Sequence, residues 1–282
     1  MKKYCWFGGR VLPLSKAALS LSDVGVLRGY AVFDFLRTFN TVPFHLKEHF
    51  ERFQHSAKLI GLTVPSTLPR VERALARLQK ANSGGDMSFR LVLTGGPTSD
   101  GMSWERPIFY ILAEDLYTLP QSVFSKGGAL ITHEHLRQFP HAKTTNYVTA
   151  VSLQPTKRRK KALEILYTER GDVYEASTSN IFMVRRGKLI TPNHAVLPGI
   201  TQRVVTALAK AAQIPITTRR VTMRELLSAD EVFLTATNKD VAPIVRIDGK
   251  RIGEGRVGPI TIRLMALYRA YTRAYPKKSL FV

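Results

Sequence analysis

A two-domain α+β fold is what the sequence predicts, and three observations carry it. Helical and strand-like periods follow one another along 282 residues without the strict strand–helix–strand order of a parallel sheet. The length exceeds that of most single domains. The pattern also loosens over residues 114–127, EDLYTLPQSVFSKG, which carry Pro120, Gly127 and no clear period, as a connection between domains does. The expected boundaries are 1–115 for a smaller N-terminal α/β domain, 116–127 for a linker and 128–282 for a larger C-terminal domain.

The elements follow in order. YCWFGGRVLP sets Gly8-Gly9 between two short strand-like runs, so it predicts a hairpin. AVFDFLRTF, 31–39, is aromatic and β-branched, and with Asn40 and VPFH it predicts a second hairpin. Leu46, Phe50, Phe53, Ala57 and Ile60 recur at steps of three and four, the spacing of an amphipathic helix. LPRVERALARLQKA, 68–81, predicts another helix. SFRLVLTGG alternates, with Phe89, Leu91 and Leu93 on one face and Arg90 and Thr94 on the other. A strand near 107–113 closes this part. A strand near 129–133 and a helix carrying KRRKK at 157–161 open the next. Two hairpins follow, LEILYTE-RGD-VYE and IFMVRRGKLITP, then a helix over 201–213 introduced by Pro198-Gly199. Thr222 and Glu225 form a capping-box pattern before a short helix. EVFLTAT, 231–237, reads as a strand running into a polar turn. PIVRIDGKRIGEG reads as strand and turn, and Gly258-Pro259 opens a terminal helix.

The composition, 44% hydrophobic and 22% charged, is that of a globular protein. The single cysteine, Cys5, forms no internal disulfide, which gives no sign of secretion. MKKYCWFGGRV lacks the apolar stretch of a signal peptide, and no run approaches the ~18–20 apolar residues of a membrane span, so a cytoplasmic location is expected. The formal net charge of +21 raises a nucleic-acid-binding class as a rival. Against it, the basic residues are dispersed, KRRKK falls in a helix-like segment as a solvated face, and no zinc-ligand spacing, aromatic RNA-binding signature or helix-turn-helix pattern is present. No metal and no specific nucleic acid are expected.

Lys143 lies in QFPHAKTTNYVTAV, among small hydroxyl residues rather than among charges. Gly199-Ile200-Thr201 sits at a helix N-terminus, where free amides and the positive dipole end suit a phosphate, although a plain threonine cap reads the same way. Thr235-Ala236-Thr237-Asn238 follows a buried-looking strand, and its small residues let a backbone approach a ligand or simply make a turn. Arg52, on the polar side of its helix, is either solvated or a fork for phosphate. Glu175, at a strand end beside Ala176, Ser177 and Thr178, is suited to pairing with a protonated ring nitrogen.

RGYAVFDFLRTF, LKEHFERFQHSA, KTTNYVTAV, YEASTSNIFMV, GKLITP, LPGITQRVV, ADEVFLTAT and GPIT together resemble the class IV aminotransferases, in order and over nearly the whole chain. That family comprises pyridoxal-phosphate enzymes of fold type IV, including branched-chain and D-amino-acid aminotransferases and aminodeoxychorismate lyase. The resemblance implies a homodimer whose cofactor, pyridoxal 5'-phosphate, sits between a smaller and a larger domain. It implies that Lys143 holds the cofactor as an internal aldimine and that Glu175 bonds the pyridine nitrogen. Arg52, Ile200, Thr201 and Thr237 would bind the phosphate, Leu197 would pack on the ring, and Tyr147 and Asn180 would line or brace the site. The chemistry is consistent: a lysine reacts only as the neutral amine, a form favoured by desolvation and by a neighbouring cation.

The sequence also departs from the family. Ala176 follows the glutamate where glycine is usual, Ala236 stands where branched-chain enzymes have glycine in a carboxylate-binding turn, and Asn238-Lys239 replaces small residues. Arg28 in LRGY and Arg90 in RLVLTGG resemble arginines with which some D-amino-acid aminotransferases hold a substrate carboxylate. The expected reaction is therefore transamination between a D-amino acid and a 2-oxo acid such as 2-oxoglutarate. Branched-chain L-amino-acid transamination is the close alternative and the lyase a more distant one.

Overall fold

The computed structural model describes residues 1–276. They divide into two compact units, the first of residues 1–117 with 142–147, the second of residues 118–141 with the chain from Val148 onward. A single cut near 116–127 therefore misses one exchange: the segment carrying Lys143 packs with the first unit.

The first unit contains β1 (Tyr4–Phe7), β2 (Arg10–Pro13), α1 (Val24–Arg28), β3 (Ala31–Phe39), β4 (Val42–Pro43), α2 (Leu46–Leu59), α3 (Leu68–Ala81), β5 (Ser88–Thr94) and β6 (Ile108–Glu114). The strands form one antiparallel sheet in the order β2-β1-β6-β5-β3-β4. Gly8 and Gly9 turn the first hairpin at φ +59° and +83°, angles that glycine adopts without a side-chain clash. On α2, Leu46, Phe50, Phe53 and Ala57 join Val71, Leu75 and Leu78 of α3 and Phe89, Leu91 and Leu93 of β5 in one core. Val92 and Thr94 are buried as well, so β5 is covered on both faces rather than on one. The sequence pattern did not reveal α1. Its N-cap is Asp23, whose carboxylate accepts the Gly25 amide at 2.7 Å and the Thr94 hydroxyl at 2.7 Å.

Beyond its pairing with β4 at Thr38 and Phe39, one edge of β3 is open to another strand. Residues 143–145 fill it. Phe33 N–H donates to Lys143 O at 2.8 Å, Thr145 N–H donates to Ala31 O at 3.0 Å, and Val32 bridges Thr144. These ladder bonds explain why a segment distant in sequence belongs to the first unit.

The second unit contains α4 (Gln121–Lys126), β7 (Gly128–Glu134), α5 (Val148–Ser152), α6 (Gln154–Arg159), β8 (Glu164–Glu169), β9 (Asp172–Ala176), β10 (Asn180–Arg185), β11 (Lys188–Thr191), α7 (Ile200–Ala211), β12 (Ile216–Thr218), β13 (Val221–Thr222), α8 (Met223–Leu227), β14 (Glu231–Ala236), β15 (Asp240–Ile247), β16 (Lys250–Arg251) and α9 (Pro259–Ala274). Its sheet runs β12-β11-β10-β14-β15-β7-β8-β9-β13, with β16 pairing β15. Pairing is parallel at β11/β12, β15/β7 and β7/β8 and antiparallel elsewhere. The stretch expected as a linker thus contains a helix, α4, which follows Pro120 and stops at Gly127, whose φ of +77° suits glycine. The basic run is divided, since α6 ends at Arg159 and Lys160 and Lys161 form the turn beyond it. Arg158 to Lys161 are exposed.

Among the described residues no helix is long and apolar enough to cross a membrane, and no group of His, Cys, Asp and Glu is gathered to hold a metal. The terminal helix is fixed by one buried carboxylate. Glu231 accepts from Ile260 N at 3.0 Å, Thr261 N at 2.7 Å and Thr261 Oγ1 at 2.6 Å, satisfying orphan donors at the N-terminus of α9. Glu231→Ala should cost about 1–3 kcal/mol of stability, read by denaturant unfolding; an unchanged midpoint would show that the cap carries no weight.

Candidate active site

In the first unit Lys143 is placed by its backbone. Lys143 N–H donates to Ser56 Oγ at 3.0 Å, while its carbonyl is held by β3 as described above. Ser56 in turn donates to Arg52 O at 2.8 Å. His49, Arg52 and Ser56 recur at three- and four-residue steps, so they form one stripe of α2, and all three are buried despite being polar. Asp34 of β3 makes that burial affordable. Arg52 Nε and Nη2 each reach its carboxylate at 2.8 Å, and His49 Nδ1 lies 2.6 Å from Oδ1. Burial alone would raise the Asp34 pKa, but the charges and hydrogen bonds of Arg52 and His49 outweigh it and hold the carboxyl well below the usual range. Burial, aided by the charges of Arg52 and Lys143, pushes the His49 imidazole below its ordinary value against the pull of Asp34.

Phe33 is the centre of a cationic corner. Lys143 Nζ lies 4.7 Å from its ring centroid, the Arg90 guanidinium carbon lies 5.2 Å away, and the Tyr147 ring meets it edge-on at 5.6 Å. Arg90 is also 4.9 Å from the Phe35 ring. Its fork is engaged with Glu114, through Nε to Oε1 at 2.6 Å and Nη2 to Oε2 at 3.2 Å, leaving Nη1 outside both bonds. Arg28 is exposed at the end of α1, where its Nη1 donates to Leu27 O at 3.4 Å, and it shares no hydrogen bond with this group.

In the second unit Glu175 is the penultimate residue of β9 and is 6% exposed. Arg137 approaches Oε1 through Nε at 2.8 Å and Nη2 at 2.6 Å, and Leu197 N–H donates to Oε2 at 3.1 Å. Asn180 Nδ2 donates to Leu197 O at 2.8 Å, so the segment leading to α7 is clipped at both polar atoms of one peptide-bearing residue. Gly199 follows, and a Cβ there would come within 1.9 Å of Asn180 Oδ1; only glycine allows this approach. The Gln202 side chain accepts from the N-cap amide, Gly199 N–H, at 3.4 Å, and the first turn of α7 carries the buried Ile200 and Thr201. The amides of the first turn of a helix of this length favour an anion. The Thr235 hydroxyl is buried without a hydrogen-bond partner among the described residues, just before Ala236 and Thr237.

Sequence reasoning missed Asp34, His49, Ser56, Glu114, Arg137 and Glu164. Asp34 in AVFDFLRTF and Glu164 in LEILYTE had a signal: each is an acidic residue inside a run otherwise fit for a buried strand. Lys239 was marked merely as a departure, yet it forms a buried ion pair with Glu164 at 2.6 Å.

The first unit holds a lysine amine beside an aromatic ring, and the second holds a buried carboxylate, a helix whose first amides no side chain takes, and a buried hydroxyl without a partner among the described residues. Such groups fit the aldehyde, ring nitrogen and phosphate of pyridoxal phosphate. The family model for amino-transferase class IV matches residues 31–247, and the chain belongs to that family as a pyridoxal-phosphate-dependent aminotransferase. It is 29% identical over 278 residues to a D-alanine aminotransferase of Staphylococcus epidermidis, covering 96% of this chain and 98% of the relative. It is 30% identical over 275 residues to a putative branched-chain-amino-acid aminotransferase of Methanocaldococcus jannaschii, covering 94% of each. A branched-chain aminotransferase of the archaeon Thermoproteus uzoniensis, solved with norvaline, superposes with a TM-score of 0.88 at 28% identity, covering 98% of this chain and 97% of that one. A branched-chain amino acid aminotransferase of Thermobaculum terrenum, solved in its PLP form, gives 0.85 at 26% identity, covering 97% and 94%.

Acid should unfold the second unit through Glu164. Burial would raise its pKa, but Lys239 and the neighbouring hydroxyls lower it from 4.5 to about 2. A depressed carboxyl pKa stabilises the fold above its unfolded value, and that contribution is lost as pH falls through the folded value. Unfolding free energy should therefore fall between pH 4.5 and about 2 in the wild type and fall less steeply in Glu164→Gln. Equal slopes in a denaturant titration at each pH would contradict this.

Proposed function

We propose that the protein transfers an amino group between a D-amino acid and a 2-oxo acid such as 2-oxoglutarate. Pyridoxal phosphate, when bound, supplies the electron sink that such a transfer needs. Lys143 would hold it covalently and, once the substrate amine has displaced that bond, the freed amine would carry the proton at the substrate α-carbon. Glu175, oriented by Arg137 and the Leu197 amide, would hold the proton on the ring nitrogen. Arg52, the amides of Ile200 and Thr201, and Thr237 hold the phosphate, and Leu197 supports the ring. Tight pairing with Asp34 gives Arg52 one fixed orientation, which suits a positioning role rather than proton transfer.

The observation that carries the D-amino-acid reading is that Arg90 and Lys143 lie against the same ring, Phe33. A guanidinium near the reactive amine offers a substrate carboxylate a partner, with Glu114 fixing its orientation and Nη1 outside their two bonds. The turn at Ala236 is less suited to that task. Lys239 N–H is spent on Ala236 O at 3.1 Å, and the Lys239 ammonium faces Glu164. Branched-chain L-amino-acid transamination is the second reading, supported by relatives of that name at similar identity. We read the active form as a homodimer, in which the exposed Leu21, Val26 and Leu27 around α1, beside Arg28, find cover.

The test is a panel of D- and L-amino acids, following conversion of the bound cofactor to its amine form by absorbance. D-amino acids should react and 2-oxoglutarate should restore the starting spectrum. Reaction with L-leucine or L-valine and with no D-amino acid would overturn the first reading. Borohydride should fix the cofactor to the peptide containing Lys143, and Lys143→Ala should lower turnover by about 10²–10⁴-fold. Arg90→Ala should raise KM for the amino acid by roughly tenfold without releasing cofactor, and an unchanged KM would remove Arg90 from substrate binding.

A further inference from the structure

Two turns of the second unit carry residues given cofactor roles above. One is the Ser177–Ser179 turn directly after Glu175; the other, 237–239, holds Thr237. A buried ion pair that the transfer chemistry does not use lies beneath both. Glu164, at the start of β8, is 3% exposed, and Lys239 is 8% exposed. The Lys239 ammonium lies 2.6 Å from Glu164 Oε1 and donates to Thr178 Oγ1 at 2.8 Å and to Asn238 Oδ1 at 3.3 Å. An ammonium has three protons, and here each has an acceptor. Glu164 also gathers the first turn around itself. It accepts from Ser177 Oγ at 2.5 Å, Thr178 N at 3.2 Å, Ser179 Oγ at 3.1 Å, and the Thr178 hydroxyl. That turn needs no lysine to close, because Ala176 N–H reaches Ser179 O at 2.8 Å and Ser179 N–H returns to Ala176 O at 3.3 Å. Lys239 adds a tether from the second turn to the first.

We propose that Lys239 is a positioning residue, whose ion pair with Glu164 ties the 237–239 turn to the Ser177–Ser179 turn and so fixes Thr237 relative to Glu175. The proposal rests on the roles assigned to Glu175 and Thr237. Two contacts with one cofactor, at its phosphate and at its ring nitrogen, are useful only at the separation the cofactor itself has. The β10/β14 pairing, with Asn180 opposite Thr235, sets that separation up to the strand ends. Beyond the ends the two turns have no ladder in common, and the Lys239 side chain takes its place. Its four-carbon stem folds back from a turn already closed by its own amide.

The experiment separates this role from simple neutralisation of a buried carboxylate. Holoenzyme, Lys239→Met, Glu164→Gln/Lys239→Met and Thr237→Ala are compared by thermal unfolding and by pyridoxal phosphate affinity in equilibrium dialysis. Lys239→Met leaves a buried charge unpaired and should lower Tm. Its cofactor affinity should fall by about tenfold or more, the scale on which outer-shell partners act on a bound group. In the double variant no charge is stranded, so Tm should return towards the wild-type value while cofactor affinity stays weak. A double variant that regains both Tm and affinity would overturn the proposal, as would wild-type affinity in Lys239→Met. Unchanged affinity in Thr237→Ala would instead overturn the phosphate role of the turn, and with it the reason for a tether.

Discussion

The backbone of Lys143 belongs to no regular strand, yet both of its polar groups are held: the carbonyl by Phe33 N–H and the amide by Ser56 Oγ. A reactive amine at the end of four methylenes gains nothing from a precise pocket if its own Cα drifts. The open edge of β3 and the polar stripe of α2 together supply the fixed point. Phe33 then serves twice, since its amide fixes the Lys143 main chain while its ring lies against the Lys143 amine. The orientation of Arg90 and Tyr147 refers to the same ring.

That fixed point depends on burying charge, which is costly unless every group is paired. The first unit meets the cost with Asp34, Arg52 and His49. The Arg52 fork takes both carboxylate oxygens, and burial keeps the imidazole towards its neutral form, so the cluster does not strand a second cation. The second unit uses the same principle with different groups. Glu175 is matched by Arg137 and a main-chain amide, and Glu164 by Lys239 and a set of hydroxyls. In both units a carboxylate on a strand is surrounded by donors from elements distant in sequence, which fixes those elements relative to one another.

This dependence on distant partners explains how much was legible in the sequence. Helices such as α2 and α3 and hairpins such as β1/β2 follow from local period and turn chemistry, and they lie where the spacing of Leu46, Phe50 and Phe53 or the Gly8-Gly9 pair puts them. Short elements with little apolar period, α1, α4, β12 and β13, were not legible, because tertiary packing and caps such as Asp23 make them. In the site, the residue types with a chemistry of their own, Lys143, Glu175 and Arg52, could be singled out. Their partners could not. Arg137 is one basic residue among 42 lysines and arginines, and nothing local marks it as the partner of Glu175. His49 and Ser56 occupy the polar positions of an amphipathic pattern, where solvent is the ordinary expectation, and only the fold turns that stripe towards Asp34.

Substrate choice lies outside what the scaffold decides, since relatives that bear D-alanine and branched-chain names are about equally similar to this chain. It rests on where a substrate carboxylate finds its strongest donor. A backbone turn and a guanidinium compete differently for it: amides give weaker bonds of fixed direction, whereas an arginine gives a charge-assisted bond and an attractive field before contact. In this chain Lys239 of the turn is held by its ion pair with Glu164, while the Arg90 guanidinium lies 5.2 and 4.9 Å from the Phe33 and Phe35 ring centroids and is bonded to Glu114. On the reading proposed above, a carboxylate drawn to Arg90 would lie beside Phe33, the ring against which the Lys143 amine also sits.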